Sequence, residues 1–558
     1  MESLVLSDDH PVLKVVWPAK MHMPKGCISA FNLRRLVVEG CEFLTDAVIP
    51  SHLFPFLNNL QELEVRRCKC VKAIFDVEDT SNMIVIPLKT IILENLPTLT
   101  HVWNKDPEGK LSHPEDMNVI VDECKSIKFL LPESVAKGNI QMVEVKNCAD
   151  LVEIVAGNEV AREEDANKQV TLFPKLSCLN LCKLPNLSCI WKFWNKDLKG
   201  SLSLPKLEEV TVIECESIKN LFPASVTMGS IRKLDVRNCV QLVEIFAQDE
   251  AATEETNEEL IILPKLRELD IYHCKMLKKF APDSIYSAGK VVSPHLEQLS
   301  LDKEGVMMIE QELPYLDLQN ITCLTLQGFN NDIDIDESDA LFPFDFFSKV
   351  SLPNIEMLVV ADSAFKEIFP TSKLPADTSN YAKILSGLQK LELRNLQKLE
   401  STGLDILHTL VASSNLTWLK VECCASLKYL IPSSTVKCLV QLQHLYISNC
   451  EALESVIVAD QPHGDDDEVI TLECLKELSL SKLPKLESFY NGKSTLNFIG
   501  SAKVSISECK TMKTFSHGDV KVPDSWIVKI DGVSFSEEDN PNAIVSQQFL
   551  KGSNTAQS

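Results

Sequence analysis

One nine-residue pattern recurs from Leu33 to Phe515, and its cleanest copy is Leu442-Gln-His-Leu-Tyr-Ile-Ser-Asn-Cys450. Written as L-x-x-L-x-I-x-x-C, it is followed by Leu453 and by Val456-Ile457. Leu445 and Ile447 alternate with more polar neighbours, as in a short strand buried on one face. A unit this small cannot bury its apolar face alone and must stack on copies of itself. A chain of 558 residues would otherwise suggest several globular domains, but a repeat array overrides that expectation.

Seventeen copies are recognisable. They open at Leu33, Leu60, Leu88, near Met117, and at Ile140, Leu176, Leu207, Ile231 and Leu266. Less regular copies open at Leu296, Ile321 and Ile355, and good ones resume at Leu388, Leu416, Leu442 and Leu475. The last keeps Val504, Ile506 and Cys509. The expected fold class is an α/β-type repeat solenoid. It would be a leucine-rich-repeat horseshoe with a parallel concave β-sheet and irregular loops or short helices on the convex side. Openings lie 24 to 36 residues apart, longer than the usual ~20–29, so the excess is loop.

Two copy types alternate. Cysteine copies lead to Leu131-Pro132, Phe222-Pro223 and Ile431-Pro432. Leu-Pro copies, at Leu96-Pro97, Leu184-Pro185 and Leu483-Pro484, lead to Val102-Trp103, Ile190-Trp191 and Phe489-Tyr490. Leu88 and Leu176 lie 88 residues apart, and Leu388 and Leu475 lie 87 apart, which points to a duplicated three-repeat superunit. The expected organisation is a degenerate N-terminal repeat or cap over 1–30 and a solenoid over 31–515. A C-terminal cap around Trp526-Ile-Val-Lys-Ile-Asp-Gly532 and a disordered tail from Lys551 would fill 516–558. Between Asp302 and Leu352 the pattern thins, with acidic residues from Asp332 to Asp339 ahead of Phe342-Pro-Phe-Asp-Phe-Phe347. That segment reads as a long loop whose aromatics fold back on the core, or as an inserted contact surface.

The net charge of −24 argues against nucleic acid and anionic membranes as partners. Much of the acid sits in runs such as Glu163-Glu-Asp165, Glu254-Glu255, Glu258-Glu259 and Asp465-Asp-Asp-Glu468, which read as solvated loops. No run approaches the roughly 18 apolar residues of a membrane span. The 19 cysteines are odd in number, and many share one repeat position. Residues 1–30 also lack the apolar core of a secretory signal. A reduced, cytoplasmic protein is therefore expected.

Cys41, Cys68, Cys124, Cys148, Cys215, Cys239, Cys274, Cys424, Cys450 and Cys509 occupy that shared position. A small side chain with a weak S–H donor suits the crowded bend after a strand, so they read as an inner ladder. Cys68-Lys-Cys70, Cys178 with Cys182, and Cys423-Cys424 lack the paired spacing of a metal site, and no metal is expected. Gly492-Lys-Ser494 echoes a phosphate-binding loop, but Glu487 stands where that loop needs its first glycine. The sequons at Asn186, Asn320 and Asn415 read as accidents of a Leu-rich chain. No histidine or serine signature of catalysis occurs, and neither enzyme activity nor a cofactor is expected.

The outward strand positions remain. They read Glu62, Glu64, Arg66; Lys233, Asp235, Arg237; Glu268, Asp270, Tyr272; Lys390, Glu392, Arg394; Trp418, Lys420, Glu422; and His444, Tyr446, Ser448. Most are solvated charge. Trp418, His444 and Tyr446 fall on neighbouring copies, and clustered exposed aromatics are favoured as interface anchors. The candidate protein-binding residues are Trp418, His444, Tyr446 and Tyr272, flanked by Arg237 and Arg394; loops covering the aromatics are the alternative.

Residues Ile355 to Pro370 and Leu427 to Cys450, the latter with Pro432-Ser-Ser434 between two cysteine copies, resemble a known family. It is the leucine-rich region of plant intracellular nucleotide-binding leucine-rich-repeat resistance proteins of the coiled-coil type, over roughly residues 30–515. The resemblance implies a sensor surface in innate immunity for a pathogen effector or a guarded host protein, coupled to a nucleotide-binding switch domain. That domain has no counterpart here, so ATP binding is not carried over. The chain is expected to be a fragment, a truncated paralogue or part of a split product. Separately, Leu33-Arg-Arg-Leu-Val-Val-Glu-Gly-Cys-Glu-Phe-Leu-Thr-Asp46 resembles repeats of F-box ubiquitin-ligase adaptors, which would imply substrate recognition instead.

Overall fold

Each of the seventeen copies forms a strand, and within each of two units the strands pair in parallel. The structure, a computed structural model, describes residues 2–7, 32–77, 84–107, 111–112, 116–156, 170–191, 202–223, 226, 230–247, 263–281, 295–312, 316–329, 342–369, 379–411, 414–460, 469–523, 525–535 and 540–555. The chain divides into two compact units, Met1–Leu296 with Gln311–Asp317, and Glu297–Glu310 with Leu318–Ser558. The acidic runs noted above and the segment 330–341 lie outside the described residues, as do Pro11, Trp17 and Pro24.

In the first unit, Ser3–Ser7 adds a strand ahead of the first predicted copy and pairs with Arg35–Glu39. The ladder then runs through Glu62–Arg66, Thr90–Glu94, Met117–Asp122, Ile140–Lys146 and Cys178–Cys182 to Glu209–Ile213, Lys233–Arg237 and Glu268–Tyr272. In the second unit it runs from Gln298–Leu301 through Cys323–Gln327, Met357–Ala361, Lys390–Arg394, Trp418–Glu422 and His444–Ser448 to Glu477–Ser481 and Lys503–Ser507. Ile527–Ile530 extends that ladder, and Val533–Phe535 turns back on it antiparallel.

The pattern explains the register. In the opening copy Leu442, Leu445, Ile447 and Cys450 are buried, while His444, Tyr446 and Ser448 are partly open on the other face. Burying one such leucine contributes about 2 kcal/mol, and a one-residue slip would turn every leucine outward. One device was not legible in the pattern: its eighth position adopts a left-handed backbone, copy after copy. Asn95, Asn147, Asn238, Asn395 and Asn449 sit there at φ 53–55°, and Gly40 and Gly328 fill it elsewhere. Larger residues also occupy it, including Arg67 and Glu123, at about 1 kcal/mol each. The compensation is a repeated hydrogen bond, since this N–H donates to the next copy, as from Asn449 to the Ser481 carbonyl at 3.1 Å.

The cysteine after that turn behaves as expected. Cys450 Sγ donates to the Ser448 carbonyl at 3.4 Å, and Cys239 Sγ reaches Val212 of the preceding copy at 3.5 Å. All cysteines among the described residues are free thiols. Burial pushes Cys148 and Cys215 up to about 12, so both stay protonated and unreactive.

The opposite side carries short strands as well as loops and short helices. Val102-Trp103 and Leu131-Pro132 fall on two of these strands, His101–Trp103 and Phe129–Pro132, and Ala73–Asp76 pairs with the first. Their aromatics stack into columns inside each unit, such as Phe173, Trp191, Phe222, Phe246 and Phe280, with ring centroids 5.6–6.4 Å apart. Phe346 and Phe347 belong to a helix, Phe344–Lys349, rather than a loop. With Phe342 they are buried, and Phe342 packs on Phe365 and Phe369. At the C-terminal end, Trp526 packs on Phe498 at 4.6 Å. The helix Pro541–Thr555 docks through Asn542, which accepts from the Ser516 N–H and donates to the Gly518 carbonyl. This helix runs through residues 551–555, for which the polar composition had suggested no order.

Candidate functional site: two patches on the outward faces

Outward residues of one copy stand beside those of the next, so register decides which side chains meet. In the second unit Trp418 is level with His444, and His444 with Glu477; Lys420 is level with Tyr446, and Tyr446 with Ser479. The three aromatics therefore come together as expected. Trp418 and Tyr446 lie 6.0 Å apart with their rings tilted by 53°, and the His444 ring stacks parallel to Tyr446 at 6.2 Å. All three are part-exposed, and none is buried under a covering loop. The Tyr446 hydroxyl donates to Glu477 Oε2 at 2.7 Å and lies 3.4 Å from His444 Nδ1. Partial burial, and next the bond to Glu477, push the Tyr446 phenol up to about 12. Lys420 points the other way, to Glu392 at 3.2 Å and Glu422 at 2.8 Å, and Glu422 holds its ammonium above the usual range.

The first unit brings Arg237 and Tyr272 together. The Arg237 guanidinium lies 4.9 Å from the Tyr272 ring centroid. It is held by Asp235, on its own strand, and by Asp270 at 3.5 Å. Asp235 is only 5% exposed, and burial raises its carboxyl despite the attraction of Arg237. Lys233 and Glu268 complete the row at 2.9 Å. Here the charges and the aromatic face satisfy one another.

Four segments in two overlapping pairs, residues 1–149 with 138–239 and 295–451 with 405–517, match the family described as plant disease resistance protein RPS2-like, leucine-rich repeats. The chain belongs to that family. Comparison with curated proteins gives no match. Membership in the RPS2-like repeats agrees with the ladder, since both predicted patches fall on repeats inside the matched segments or, for Tyr272, on the strand that follows them. Among the described residues, no helix is long and apolar enough to cross a membrane.

Arg394 is placed differently from the other predicted residues. It ends its strand level with Glu422, is 46% exposed, and approaches Glu392 at 3.9 Å, touching none of the three aromatics. Glu477 is the residue the sequence reading missed. It is the first outward position of the copy opening at Leu475, level with His444, and its carboxylate reaches across to the Tyr446 hydroxyl.

Proposed function

We propose that this chain is a non-enzymatic protein-recognition module of plant innate immunity, working in the cytoplasm. Its partner is a pathogen effector, a guarded host protein or a nucleotide-binding switch domain, bound through the outward face of the long ladder and nearby loops. The observation that supports this most is the Trp418–His444–Tyr446 cluster. Three aromatic groups lie together between strands that offer charge and serine, Lys390–Arg394 and Glu477–Ser481, with their hydroxyl and carboxylate neighbours already fixed. Trp418, His444 and Tyr446 are the contact residues, with Arg394 on a strand of the same unit; Tyr272 and Arg237 form a separate candidate patch in the first unit. Binding would act by favouring one arrangement of the repeats against a neighbouring regulatory domain.

The test places a photo-crosslinking phenylalanine at Tyr446 in plant cells exposed to a pathogen, with the same residue at Tyr429 as the control. Tyr429 lies on a strand of the opposite side. The expected result is a protein captured only from position 446, which binds the purified chain and binds it less well after Trp418→Ala. Equal capture from both positions, or binding indifferent to Trp418→Ala, overturns the reading.

A further inference from the structure

The second unit leaves open a position that the first unit fills from within. In the first unit an arginine, Arg237, covers the face of Tyr272, one strand further on in the ladder, and two carboxylates anchor its guanidinium. In the second unit Lys420 is level with Tyr446, the corresponding place for a cation. Its ammonium is drawn away to Glu392 and Glu422. Among the described residues, no lysine or arginine lies over Trp418 or Tyr446; the ring that runs parallel to Tyr446 is the His444 imidazole, at 6.2 Å.

An anion is nevertheless waiting there. Glu477 Oε2 accepts the Tyr446 hydroxyl at 2.7 Å and lies 3.6 Å from His444 Nδ1. Its other carboxylate oxygen has no partner among the described residues, and the side chain is 46% exposed. The rings of Trp418 and Tyr446 are tilted by 53°, which makes two walls of a shallow corner rather than a closed stack. The next strands carry only Ser479 and Ser505 in the row of Tyr446, while Lys503 stands level with Glu477 without an ion pair to it.

We propose that the corner formed by Trp418, Tyr446 and Glu477 receives an arginine side chain presented by a partner protein. This rests on the protein-recognition reading above and specifies the chemistry of the contact. A guanidinium is weakly hydrated and planar, so it can stack on an aromatic face while its edge donates to a carboxylate. A lysine ammonium holds its water more strongly and cannot stack in this way. The −24 net charge of the chain also favours the approach of a basic segment over an acidic one.

The full chain labelled with 5-fluorotryptophan provides the test, with the Trp418 resonance identified by its loss in Trp418→Phe. The probes are Nα-acetyl-arginine amide, its neutral citrulline isostere and Nα-acetyl-lysine amide. The arginine probe is expected to shift the Trp418 signal saturably, with both other probes weaker by about threefold or more. Glu477→Gln, which keeps an acceptor for the Tyr446 hydroxyl, is expected to weaken the arginine response about fivefold. No saturable shift, an equal response to citrulline or lysine, or an unchanged Glu477→Gln variant overturns the assignment. If the arginine probe fails while the Tyr446 cross-link still forms, the assignment falls and the recognition reading stands. If both fail, both fall.

Discussion

The two outward patches are built from the same parts on the same scaffold, yet they end in different states. In the first unit Arg237 sits on Tyr272 and is neutralised by Asp235 and Asp270. In the second, Trp418, His444 and Tyr446 gather beside Glu477, and Lys420, level with Tyr446, is engaged elsewhere. A patch whose charges and faces are internally satisfied adds to stability and has little left to offer a partner. A patch with an uncovered aromatic corner and a half-free carboxylate adds little to stability and keeps its interactions in reserve. The contrast teaches that composition alone does not mark an interface; what matters is which groups the register leaves without internal partners.

The comparison can be broken most directly by truncation. The double change Trp418→Ala with Tyr446→Ala is expected to weaken binding of the protein captured at Tyr446 by roughly a hundredfold. Tyr272→Ala should change it by no more than about threefold, as measured by calorimetry on the purified pair. Comparable losses from both would erase the distinction between the patches.

Stability should show the reverse order. Asp235→Ala leaves the half-buried Arg237 with only Asp270, and chemical denaturation should register a loss of about 2 kcal/mol. Glu477→Gln, on an exposed carboxylate that retains its hydrogen bond, should cost less than about 1 kcal/mol. A larger loss from the second than from the first would invert the comparison.

Alkaline titration sharpens it further. The Tyr446 phenol is raised to about 12 from an ordinary 10.0, so its neutral form is favoured by folding. Its contribution is fully present below the unfolded value and is lost as pH rises through about 12. Site-resolved NMR of the tyrosine rings should find Tyr446 ionising near there, and Glu477→Gln should bring it part of the way down. Burial is the larger cause of the shift, so a full return to the ordinary value would contradict this account. The smallest effect is expected at Arg394, where alanine should alter stability by under about 0.5 kcal/mol, because Arg394 is exposed and its ion pair with Glu392 is long.

The ladder was legible in the chain because leucine spacing is a local property. The positions of Leu445, Ile447 and Cys450 relative to one another dictate which face is buried, whatever the neighbours are. The three aromatics could be paired from sequence for the same reason, since adjacent copies must align once their leucines do. Glu477 was not found because its register row is that of His444, and only the side-chain geometry carries its carboxylate across to the Tyr446 hydroxyl. The short strands on the opposite side were hidden as well, because two- to four-residue apolar runs form strands only when a neighbour offers a matching edge.

The sequence by itself thus determined the repeat, the parallel ladder, the buried cysteines and the set of side chains offered to solvent. Only the tertiary structure decided which of those side chains are occupied. Arg237 and Lys420 hold matching places beside Tyr272 and Tyr446, but one covers its ring and the other turns away. The physical reason is partly long-range: beside a carboxylate on its own strand, Asp235 or Glu422, each cation goes to one that register brings in from a neighbouring strand, Asp270 or Glu392.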